Sequence, residues 1–579
     1  MQEISVLKYA DRNIFAVNEA GQYEWMTYKE FGQNVDHLRG GLASLGIEPK
    51  DRVAIIADNS PKWAISCYAS MGLGAAFVPM YTNQSLDDWG FKIVDSEAKV
   101  LMVQDGKIYD KVKHLVDTIP SLEHIVDLSN SSDSVTNYES LLNIGATEPS
   151  PSFKPHHDDV MGFIYTSGTT GNPKGVLLTH GNISFLLKTL PEMVDISDEL
   201  SLSFLPWAHI FGQLAELHSL IRLGNSTAFA DSPKTIVENL SQVNPTILFS
   251  APIVFNRIYD KTIAGIENSG FLKRYLFDCW YETAQKKRIG ESLGWKAHVA
   301  SMVEDSISKS IGEKLGGKLK YAVSGGSKLD QTVAEFIDDL GITVLEGYGL
   351  SETAGIISLN TLTDRKIGSV GKPFPGVHIV IDKSKSNSNE GNEGEIVVYG
   401  PNIMQGYNKL PEVTASEMTE DGGFRTGDIG YLDDDGFLFI TGRIKEIFKL
   451  NNGKYVVPQV LEAEAKRNQY IKEAFLYGQD KEYTVIVVCA DMNQVENYAS
   501  EHGIDLKGEE LLQTPLIKDL FQAQFECFRD KSTLVDKPLN YAVLADDWEE
   551  IEDLYTPTLK LKRNEVEKRY FDLLQSLYH

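Results

Sequence analysis

The chain has 579 residues, of which 42% are hydrophobic and 24% charged, the composition of a globular protein with a large apolar core. It carries 55 lysines and arginines against 82 aspartates and glutamates, a formal net charge of −27. This acidic balance argues against a general nucleic-acid binder, which needs a basic surface for phosphate contacts. Any polyanionic substrate must therefore be held by a few local cations. Several domains are expected, because single hydrophobic cores stop growing at roughly 250–300 residues.

The cysteines and apolar stretches exclude further classes of protein. No Cys-x-x-Cys pair occurs and no histidine lies at ligand spacing, so neither a disulfide framework nor a zinc site is predicted, and a reducing cytosol is favoured. Residues 1–15 carry charges without an uninterrupted apolar core, so no secretory signal is expected there. The longest charge-free stretch, residues 63–86, is broken by glycines and Pro79. It predicts a buried helix, a turn and a strand rather than a membrane-spanning helix.

Apolar strands and amphipathic helices alternate along most of the chain, which predicts an α/β fold. The clearest elements are strands at 52–57, 160–164, 320–323, 342–345 and 485–490 and helices at 28–45, 331–340, 458–467 and 564–577. Between residues 394 and 442 short strands and hairpin turns predominate, including an Asp-Gly turn at Asp435 and Gly436. This stretch predicts a β-rich subdomain.

A domain boundary is predicted after Gly442, where the β-rich region ends and a fresh helix and strand follow. Residues 1–442 are expected to form a large N-terminal domain of stacked β-sheets with flanking helices and the β-rich subdomain. Residues 443–579 suit a small, mobile α+β C-terminal domain. Glycine at the junction would let the connection between the two swivel.

The sharpest local feature is a stretch rich in glycine and hydroxyl groups directly after the strand at 160–164. It reads YTSGTTGNPKG from Tyr165 to Gly175. Its backbone N–H groups can surround anionic oxygens, and Lys174 adds a positive charge. A Walker A loop requires Gly-Lys-Ser/Thr in sequence, whereas two residues separate Gly171 from Lys174 here. The stretch therefore predicts a phosphate-binding loop of another kind.

Other motifs follow in order along the chain: EGYGLSE at 346–352, RTGD at 425–428, GRIK at 442–445 and YTPTLKLKR at 555–563. Together with the phosphate-binding loop they make the chain resemble the adenylate-forming (AMP-binding) superfamily of acyl-CoA synthetases, luciferases and peptide-synthetase adenylation domains. The resemblance covers nearly the whole chain. SFLPWAHIF at 203–211, NPTI at 244–247 and APIVFNRIY at 251–259 are most similar to the long-chain fatty acyl-CoA synthetase branch.

This resemblance implies an activity and its partners. A long-chain fatty acid would be activated with ATP to an acyl-adenylate, releasing pyrophosphate, and the acyl group would then pass to coenzyme A to give fatty acyl-CoA and AMP. Mg²⁺ is the implied cofactor, with ATP and coenzyme A as co-substrates. The alternative is an adenylate-forming ligase that acts on another carboxylic acid or passes it to a carrier protein. A cytoplasmic enzyme is expected, with transient peripheral membrane contact and oligomeric state left open.

The resemblance also implies roles for individual residues. The residues implied in catalysis are Lys560, Glu352 and Lys449, and those implied in holding the metal are Thr166 and Glu352. The residues implied in nucleotide binding are Thr166, Ser167, Gly168, Thr169, Thr170, Lys174, Gly326, Ser327, Glu346, Gly347, Tyr348, Gly349, Ser351, Asp428 and Arg443. Those implied beside the acyl chain are His209, Phe211 and Gly325, and Lys445 is the implied hinge.

Two of these assignments have competitors in the sequence itself. The family usually has glycine before its catalytic lysine, whereas Leu559 precedes Lys560 here, so Lys562 is the alternative. For His209, a satisfied core histidine is as well supported as a substrate contact.

Overall fold

The computed structural model of the chain describes residues 2–131, 136–166, 173–232, 235–267, 269–293, 295–385, 392–452, 454–531, 537–551, 554–556 and 561–578. Contacts divide the chain into two units. The first unit contains Met1–Ile379, Val398–Phe424 and Asp433–Phe439, and the second contains Val380–Val397, Arg425–Leu432 and Ile440–His579. The second unit thus includes strands of the β-rich region as well as the C-terminal part. The boundary after Gly442 stays a prediction.

The strands follow one another along the whole chain. They are β1 (Asn13–Glu19), β2 (Gln22–Thr27), β3 (Arg52–Ile56), β4 (Ala76–Met80), β5 (Val100–Val103), β6 (His124–Asp127), β7 (Val160–Thr166), β8 (Lys174–Thr179), β9 (Leu200–Ser203), β10 (Ser226–Phe229), β11 (Ile247–Ser250), β12 (Tyr321–Ser324), β13 (Thr343–Tyr348), β14 (Ser358–Leu359), β15 (Lys372–Pro373), β16 (His378–Asp382), β17 (Gly394–Tyr399), β18 (Gly406–Tyr407), β19 (Phe424–Leu432), β20 (Leu438–Arg443), β21 (Phe448–Lys449), β22 (Tyr455–Val456), β23 (Ile471–Tyr477), β24 (Val485–Ala490) and β25 (Asn540–Leu544).

The helices alternate with these strands. They are α1 (Gln2–Lys8), α2 (Tyr28–Ser44), α3 (Pro61–Gly72), α4 (Leu86–Ser96), α5 (Gly106–Val112), α6 (Leu115–Thr118), α7 (Tyr138–Thr147), α8 (His180–Met193), α9 (Ser219–Leu223), α10 (Ile236–Val243), α11 (Pro252–Glu267), α12 (Phe271–Arg288), α13 (Lys296–Gly312), α14 (Gln331–Asp339), α15 (Pro411–Ser416), α16 (Pro458–Ala465), α17 (Met492–Glu501), α18 (Gly508–Leu512), α19 (Pro515–Lys531), α20 (Arg563–Arg569) and α21 (Phe571–Ser576). A π-helix spans Gly212–His218, and short 3₁₀ turns include Ser351–Thr353 and Ile444–Glu446.

Two large sheets organise the first unit. Within the described residues, sheet I has the order β15-β14-β13-β12-β11-β9-β10-β1-β2 and sheet II the order β18-β8-β7-β4-β3-β5-β6. Most neighbouring strands in the middle of both sheets pair in parallel. Antiparallel pairs lie at both edges of sheet I and at the β8 and β18 edge of sheet II, whose other edge strand, β6, pairs in parallel with β5. Parallel interior strands joined through helices confirm the α/β fold that the alternation predicts.

Each large sheet is covered by helices over a continuous core. Helices α10 to α14 cover sheet I, burying aromatic side chains such as Phe255, Trp280 and Phe336. Helices α4 to α6 cover sheet II, and Trp89 and Ile93 of α4 are buried against it. Burying each such side chain stabilises the fold by roughly 1.5–3 kcal/mol.

Aromatic side chains from both large sheets meet in one cluster. Trp63, on α3, lies 5.0 Å from the Phe77 ring of sheet II and 5.5 Å from the Trp207 ring, measured between centroids. Trp207 in turn lies 5.3 Å from Phe229 of sheet I. Tilted and edge-on rings at these separations attract one another beyond the area they bury. The cluster holds the segment around Trp207 between the two sheets.

The second unit has its own sheets and core. Its described strands include a three-stranded sheet β23-β24-β25, a two-stranded sheet β21-β22 and a four-stranded sheet in the order β16-β17-β19-β20. Along β24 the buried side chains alternate between two clusters, with Val485 and Val487 in one and Ile486 and Val488 in the other. This alternation is expected for a strand buried on both faces.

Most predicted elements are confirmed, but the last helix is not continuous. The sequence predicts one helix over 564–577, whereas α20 ends at Arg569 and α21 begins at Phe571, with Tyr570 between them at φ −105° and ψ 20°. The Tyr570 ring stacks on Trp548 at 5.6 Å, and its hydroxyl donates to Asp546 Oδ2 at 2.7 Å. These distant contacts hold Tyr570 out of helical geometry, so the single-helix prediction is wrong.

No helix among the described residues is long and apolar enough to cross a membrane.

Candidate active site

The predicted phosphate-binding loop connects two antiparallel strands of sheet II. Strands β7 and β8 pair so that Thr166 lies opposite Lys174. Ser167, Gly168, Thr169 and Thr170 lie outside the described residues. The strand register therefore places the implied metal residue Thr166 and the implied phosphate residue Lys174 side by side at the base of the loop.

Glu352 lies in a tight turn after β13. The 3₁₀ turn Ser351–Thr353 is followed by Ala354 at φ 53° and Gly355 at φ 93°. A Cβ added to Gly349 would lie 2.3 Å from the Gly355 carbonyl oxygen, so this position requires glycine. Ser351 is buried, whereas Glu352 is only half-buried. The EGYGLSE motif is thus a compact turn that presents one carboxylate.

A chain segment at residues 402–408 joins this turn to the phosphate-loop hairpin. The Met404 N–H donates to the Glu352 carbonyl at 2.8 Å, and the Asn408 N–H donates to the Gly175 carbonyl at 2.7 Å. Between them, β18 pairs with β8. The Tyr407 hydroxyl donates to Glu352 Oε1 at 2.8 Å, and Lys174 Nζ lies 4.8 Å from the centroid of the Tyr407 ring. Tyr407 thereby connects two residues of the candidate site, Glu352 and Lys174.

The sequence offers only a weak signal for Tyr407. It is an aromatic residue after Gly406 in a polar connection before α15, and no hydrophobic period points to its burial. In the structure it is 7% exposed. Its place depends on the pairing of β18 with a strand more than two hundred residues earlier in the chain.

Two of the predicted acyl-binding residues are in contact where β12 of sheet I ends. Phe211 packs against Gly325, where an added Cβ would lie 3.0 Å from the Phe211 ring. Gly326 has φ 83°. Ser324, in the strand just before them, is 2% exposed, and its hydroxyl has no hydrogen-bond partner within the described part of the chain. The structure thus brings Phe211 and Gly325 together beside the turn that leads to Ser327.

The segment that carries His209 and Phe211 is held by a buried carboxylate in the π-helix. Glu216 accepts hydrogen bonds from Ser201 at 2.8 Å, Ser203 at 2.5 Å and Trp207 Nε1 at 2.9 Å. Burial raises the pKa of Glu216 against the lowering effect of these hydrogen bonds. His209 is half-buried, and its Nδ1 accepts from the Phe211 N–H at 3.2 Å.

Glu346, Gly347 and Tyr348 form the end of β13, next to the Gly325 turn. Ser324 and Glu346 are register partners on adjacent strands. Burial raises the pKa of Glu346 to about 7, although the Gly368 N–H donates to its carboxylate at 3.2 Å. Near neutral pH, the Glu346 carboxyl group can therefore donate a hydrogen bond in its protonated form and accept one in its ionised form.

In the second unit, Asp428 and Arg443 form an ion pair. Arg443 Nε donates to Asp428 Oδ1 at 2.8 Å, from the end of β20 to the middle of β19. Asp428 is 6% exposed, whereas 38% of the Arg443 side chain is exposed. The pair joins the two residues that the resemblance implies for ribose and phosphate binding.

The turn after Arg443 carries the implied hinge residue. Lys445 is the middle residue of the 3₁₀ turn Ile444–Glu446, and Gln459 donates a hydrogen bond to the Glu446 carboxylate. Lys449 is exposed on β21, with its Nζ 5.3 Å from the centroid of the Tyr455 ring. The two lysines lie on separate elements close together in the chain.

Lys560 lies outside the described residues, but the chain on both sides of it is held firmly. Tyr555 pairs with Leu561, and the Lys562 N–H donates to the Leu554 carbonyl at 2.8 Å. Arg563 donates to both oxygens of Glu462, at 2.7 and 2.8 Å. Both of these bonds come from Nη1, while Nη2 donates to the Leu476 carbonyl at 2.8 Å, so charge-assisted hydrogen bonds hold the guanidinium group at two places.

The Asp-rich turn of the β-rich region is the predicted hairpin. The Gly436 N–H donates to the Asp433 carbonyl at 3.0 Å, and Gly436 has φ 82°. Asp433 and Asp435 both pair with Lys366. One lysine therefore bridges both carboxylates of the turn.

Comparisons with known proteins identify the family and the fold of the chain. The profile of the AMP-binding enzyme family matches residues 3–408. The chain is 31% identical to long chain acyl-CoA synthetase 6, peroxisomal, of Arabidopsis thaliana, over 99% of this chain and 84% of the relative. It is 30% identical to fatty acyl-CoA synthetase A of Dictyostelium discoideum, over 98% of this chain and 88% of the relative. The crystal structure of the adenylation domain of a carboxylate reductase from Mycobacterium chelonae has the same fold, with a TM-score of 0.80, 20% identity and coverage of 100% of this chain and 90% of that one. The chain belongs to the AMP-binding enzyme family, and its relatives by sequence are long-chain acyl-CoA synthetases.

Proposed function

We propose that this protein is a long-chain fatty acid–CoA ligase. It activates a long-chain fatty acid with ATP to an acyl-adenylate, releasing pyrophosphate, and then transfers the acyl group to coenzyme A, giving fatty acyl-CoA and AMP. The observation that carries the proposal is similarity over almost the whole chain to relatives named long-chain acyl-CoA synthetases. The motif residues of the candidate site support it from within the chain.

By the family resemblance, each part of ATP has a candidate partner among the motif residues. Lys174 is the cation for the phosphates, beside the loop at 167–172, and Tyr348 offers an aromatic face for adenine. Asp428 accepts the ribose hydroxyls, and Arg443 reaches the ribose or a phosphate. Attack of the fatty acid carboxylate at the α-phosphate concentrates negative charge on phosphoryl oxygens, so fixed cations and N–H groups stabilise the transition state more than the ground state.

The candidate donors fit Mg²⁺. Among the described residues no group of three histidine, cysteine, aspartate or glutamate side chains could hold a metal ion. Mg²⁺ is commonly bound through one or two carboxylates, waters and substrate phosphates rather than by a cage of protein ligands. One carboxylate, Glu352, and one hydroxyl, Thr166, match that requirement. Bound there with ATP, the ion would neutralise charge on the phosphates.

The fatty acid is proposed to lie beside Phe211 and Gly325. The Phe211 ring packs against Gly325 and gives the turn after β12 an apolar surface. His209 belongs to the same segment as Phe211.

The proposed location is the cytoplasm, with transient peripheral contact with a membrane as the route to an insoluble acid. The proposed domains are residues 1–442 for the nucleotide and acyl group and 443–579 for the catalytic Lys560.

Thioester formation with fatty acids of increasing length tests this proposal. With ATP, Mg²⁺ and coenzyme A fixed, we expect both pyrophosphate release and acyl-CoA formation to be greatest with long-chain acids. Reactions without coenzyme A should stop after the adenylate. Activity confined to aryl acids would contradict the substrate class, and pyrophosphate release without any CoA thioester would contradict the acceptor.

Asp428→Ala is expected to raise the ATP Michaelis constant by on the order of tenfold to a hundredfold. Hydrogen bonds from ribose hydroxyls to an ionised carboxylate contribute roughly 1.5–3 kcal/mol, and each 1.4 kcal/mol is a factor of about ten. Steady-state kinetics with varied ATP measures the change. Asp434→Ala, at an exposed position of the neighbouring hairpin, is the matched control and should leave the constant unchanged. An unaltered constant in folded Asp428→Ala would remove Asp428 from the ribose site.

A further inference from the structure

Tyr407 contacts two residues of the candidate site at once. Its hydroxyl donates to Glu352 Oε1 at 2.8 Å, and Lys174 Nζ lies 4.8 Å from the centroid of its ring. Only 7% of Tyr407 is exposed. The same side chain therefore combines a charge-assisted hydrogen bond to the carboxylate with a cation–π contact to the ammonium group.

The backbone around Tyr407 restricts its side chain to this place. The Tyr407 N–H donates to Thr414 Oγ1 at 2.9 Å, and its strand register places it opposite Val176 on β8. The neighbouring Gln405 N–H donates to the Leu177 carbonyl at 3.0 Å. These bonds fix the backbone of Tyr407, from which the hydroxyl reaches Glu352.

Within the described part of the chain, the turn Ser351–Thr353 does not restrain the Glu352 carboxylate in this way. It is half-buried, and its backbone is held through its carbonyl by Met404, which leaves the orientation of the carboxylate to side-chain contacts. A carboxylate on a rotatable stem loses rotamer freedom when it binds a metal. A fixed hydroxyl on one oxygen reduces that loss before the metal arrives.

We propose that Tyr407 is a positioning residue that orients the Glu352 carboxylate for the metal and holds the Lys174 ammonium group beside the nucleotide phosphates. The inference rests on the proposed ATP-dependent function. It assigns the hydroxyl and the ring separate tasks: the hydroxyl acts through Glu352 on metal affinity, and the ring acts through Lys174 on nucleotide affinity.

Tyr407→Phe removes only the hydroxyl. Mutating a partner that orients a metal ligand typically lowers metal affinity about 10- to 100-fold. We expect Mn²⁺ affinity, measured by electron paramagnetic resonance in the presence of a non-hydrolysable ATP analogue, to fall by about tenfold. The affinity for the analogue without metal should stay unchanged, because the ring remains. The Mg²⁺ concentration that half-saturates pyrophosphate exchange should rise in parallel.

Tyr399→Phe is the matched control. The Tyr399 hydroxyl also donates to a carboxylate, Asp421, at 3.0 Å to each oxygen, in the same unit of the chain. Tyr399→Phe should leave the affinities for Mn²⁺ and for the metal-free ATP analogue unchanged. Tyr407→Leu, which also removes the ring, should weaken binding of the metal-free analogue as well.

A double-mutant cycle decides whether Tyr407 acts through Glu352. In a Glu352→Ala background, Tyr407→Phe should cause no further loss of Mn²⁺ affinity, because the carboxylate that it orients is absent. Equal losses in both backgrounds, or full Mn²⁺ affinity in Tyr407→Phe, would overturn the proposal. The metal titration contains no fatty acid, so a wrong acyl substrate would leave these results intact and appear only in the thioester assay.

Discussion

Glu352→Gln is expected to lower the rate of magnesium-dependent adenylation by on the order of a hundredfold or more. Glutamine keeps the size of the side chain and can still accept a hydrogen bond from Tyr407, so the turn Ser351–Thr353 should fold as before. It removes the negative charge that would hold the cation. Since Thr166 supplies only a neutral hydroxyl, the metal would lose its one charged protein ligand.

Fatty-acid-dependent exchange of pyrophosphate into ATP measures this loss over a range of Mg²⁺ concentrations. Glu412→Gln, in the first turn of α15 and exposed, is the matched control and should exchange at the original rate. Exchange by Glu352→Gln at the original rate and ordinary Mg²⁺ would show that another group holds the metal. Recovery at high Mg²⁺ would agree with weakened binding rather than misfolding.

The sequence predicts well those features that depend on neighbouring residues. The helix α2 begins at the capping box formed by Thr27 and Glu30, and its buried residues, among them Phe31, Val35 and Leu38, recur at helical spacing. The buried strand β24 is predicted with the bounds that the structure gives, because six apolar residues between polar turns allow little else. Such signals need no knowledge of the rest of the chain.

Features that depend on contacts between distant parts of the chain cannot be predicted from the sequence in this way. The break at Tyr570 follows from Trp548 and Asp546, and the burial of Tyr407 follows from pairing with β8. Trp207 lies in the sequence beside predicted acyl-binding residues, yet the structure buries it completely against Glu216 and neighbouring aromatic rings. A motif identifies which residue types occur together, whereas the fold decides which of them face the substrate.

Lys560→Ala is expected to block formation of the acyl-adenylate while sparing the second half-reaction. Loss of a cation that stabilises charge at the α-phosphate typically lowers the rate on the order of 10²-fold or more. Given pre-made acyl-adenylate and coenzyme A, the variant should still form thioester, because that step no longer builds charge at the α-phosphate. Separate assays of pyrophosphate exchange and of thioester formation from the adenylate measure the two steps.

Lys562→Ala is the matched control for this assignment. It changes a lysine two residues away, whose backbone N–H still bonds to Leu554. If Lys562→Ala rather than Lys560→Ala lost adenylation, the catalytic lysine would be Lys562. Arg563 and Glu462 hold the following helix in either variant, so neither substitution should lower the unfolding temperature of the second unit.

Lys445→Pro should have the opposite effect to Lys560→Ala: it should spare adenylation and block thioester formation. This follows if Lys445 is the hinge on which the C-terminal domain turns between the two half-reactions. Proline fixes φ near −65° and restricts the preceding residue, here Ile444, so rotation at the 3₁₀ turn Ile444–Glu446 would be blocked. Adenylation should persist and the adenylate should accumulate, as rapid-quench measurement of bound acyl-AMP would show. Lys445→Ala, which leaves the backbone free, should turn over normally. If Lys560→Ala and Lys445→Pro slowed both half-reactions equally, the rotation hypothesis would be wrong and the C-terminal domain would act as a static lid.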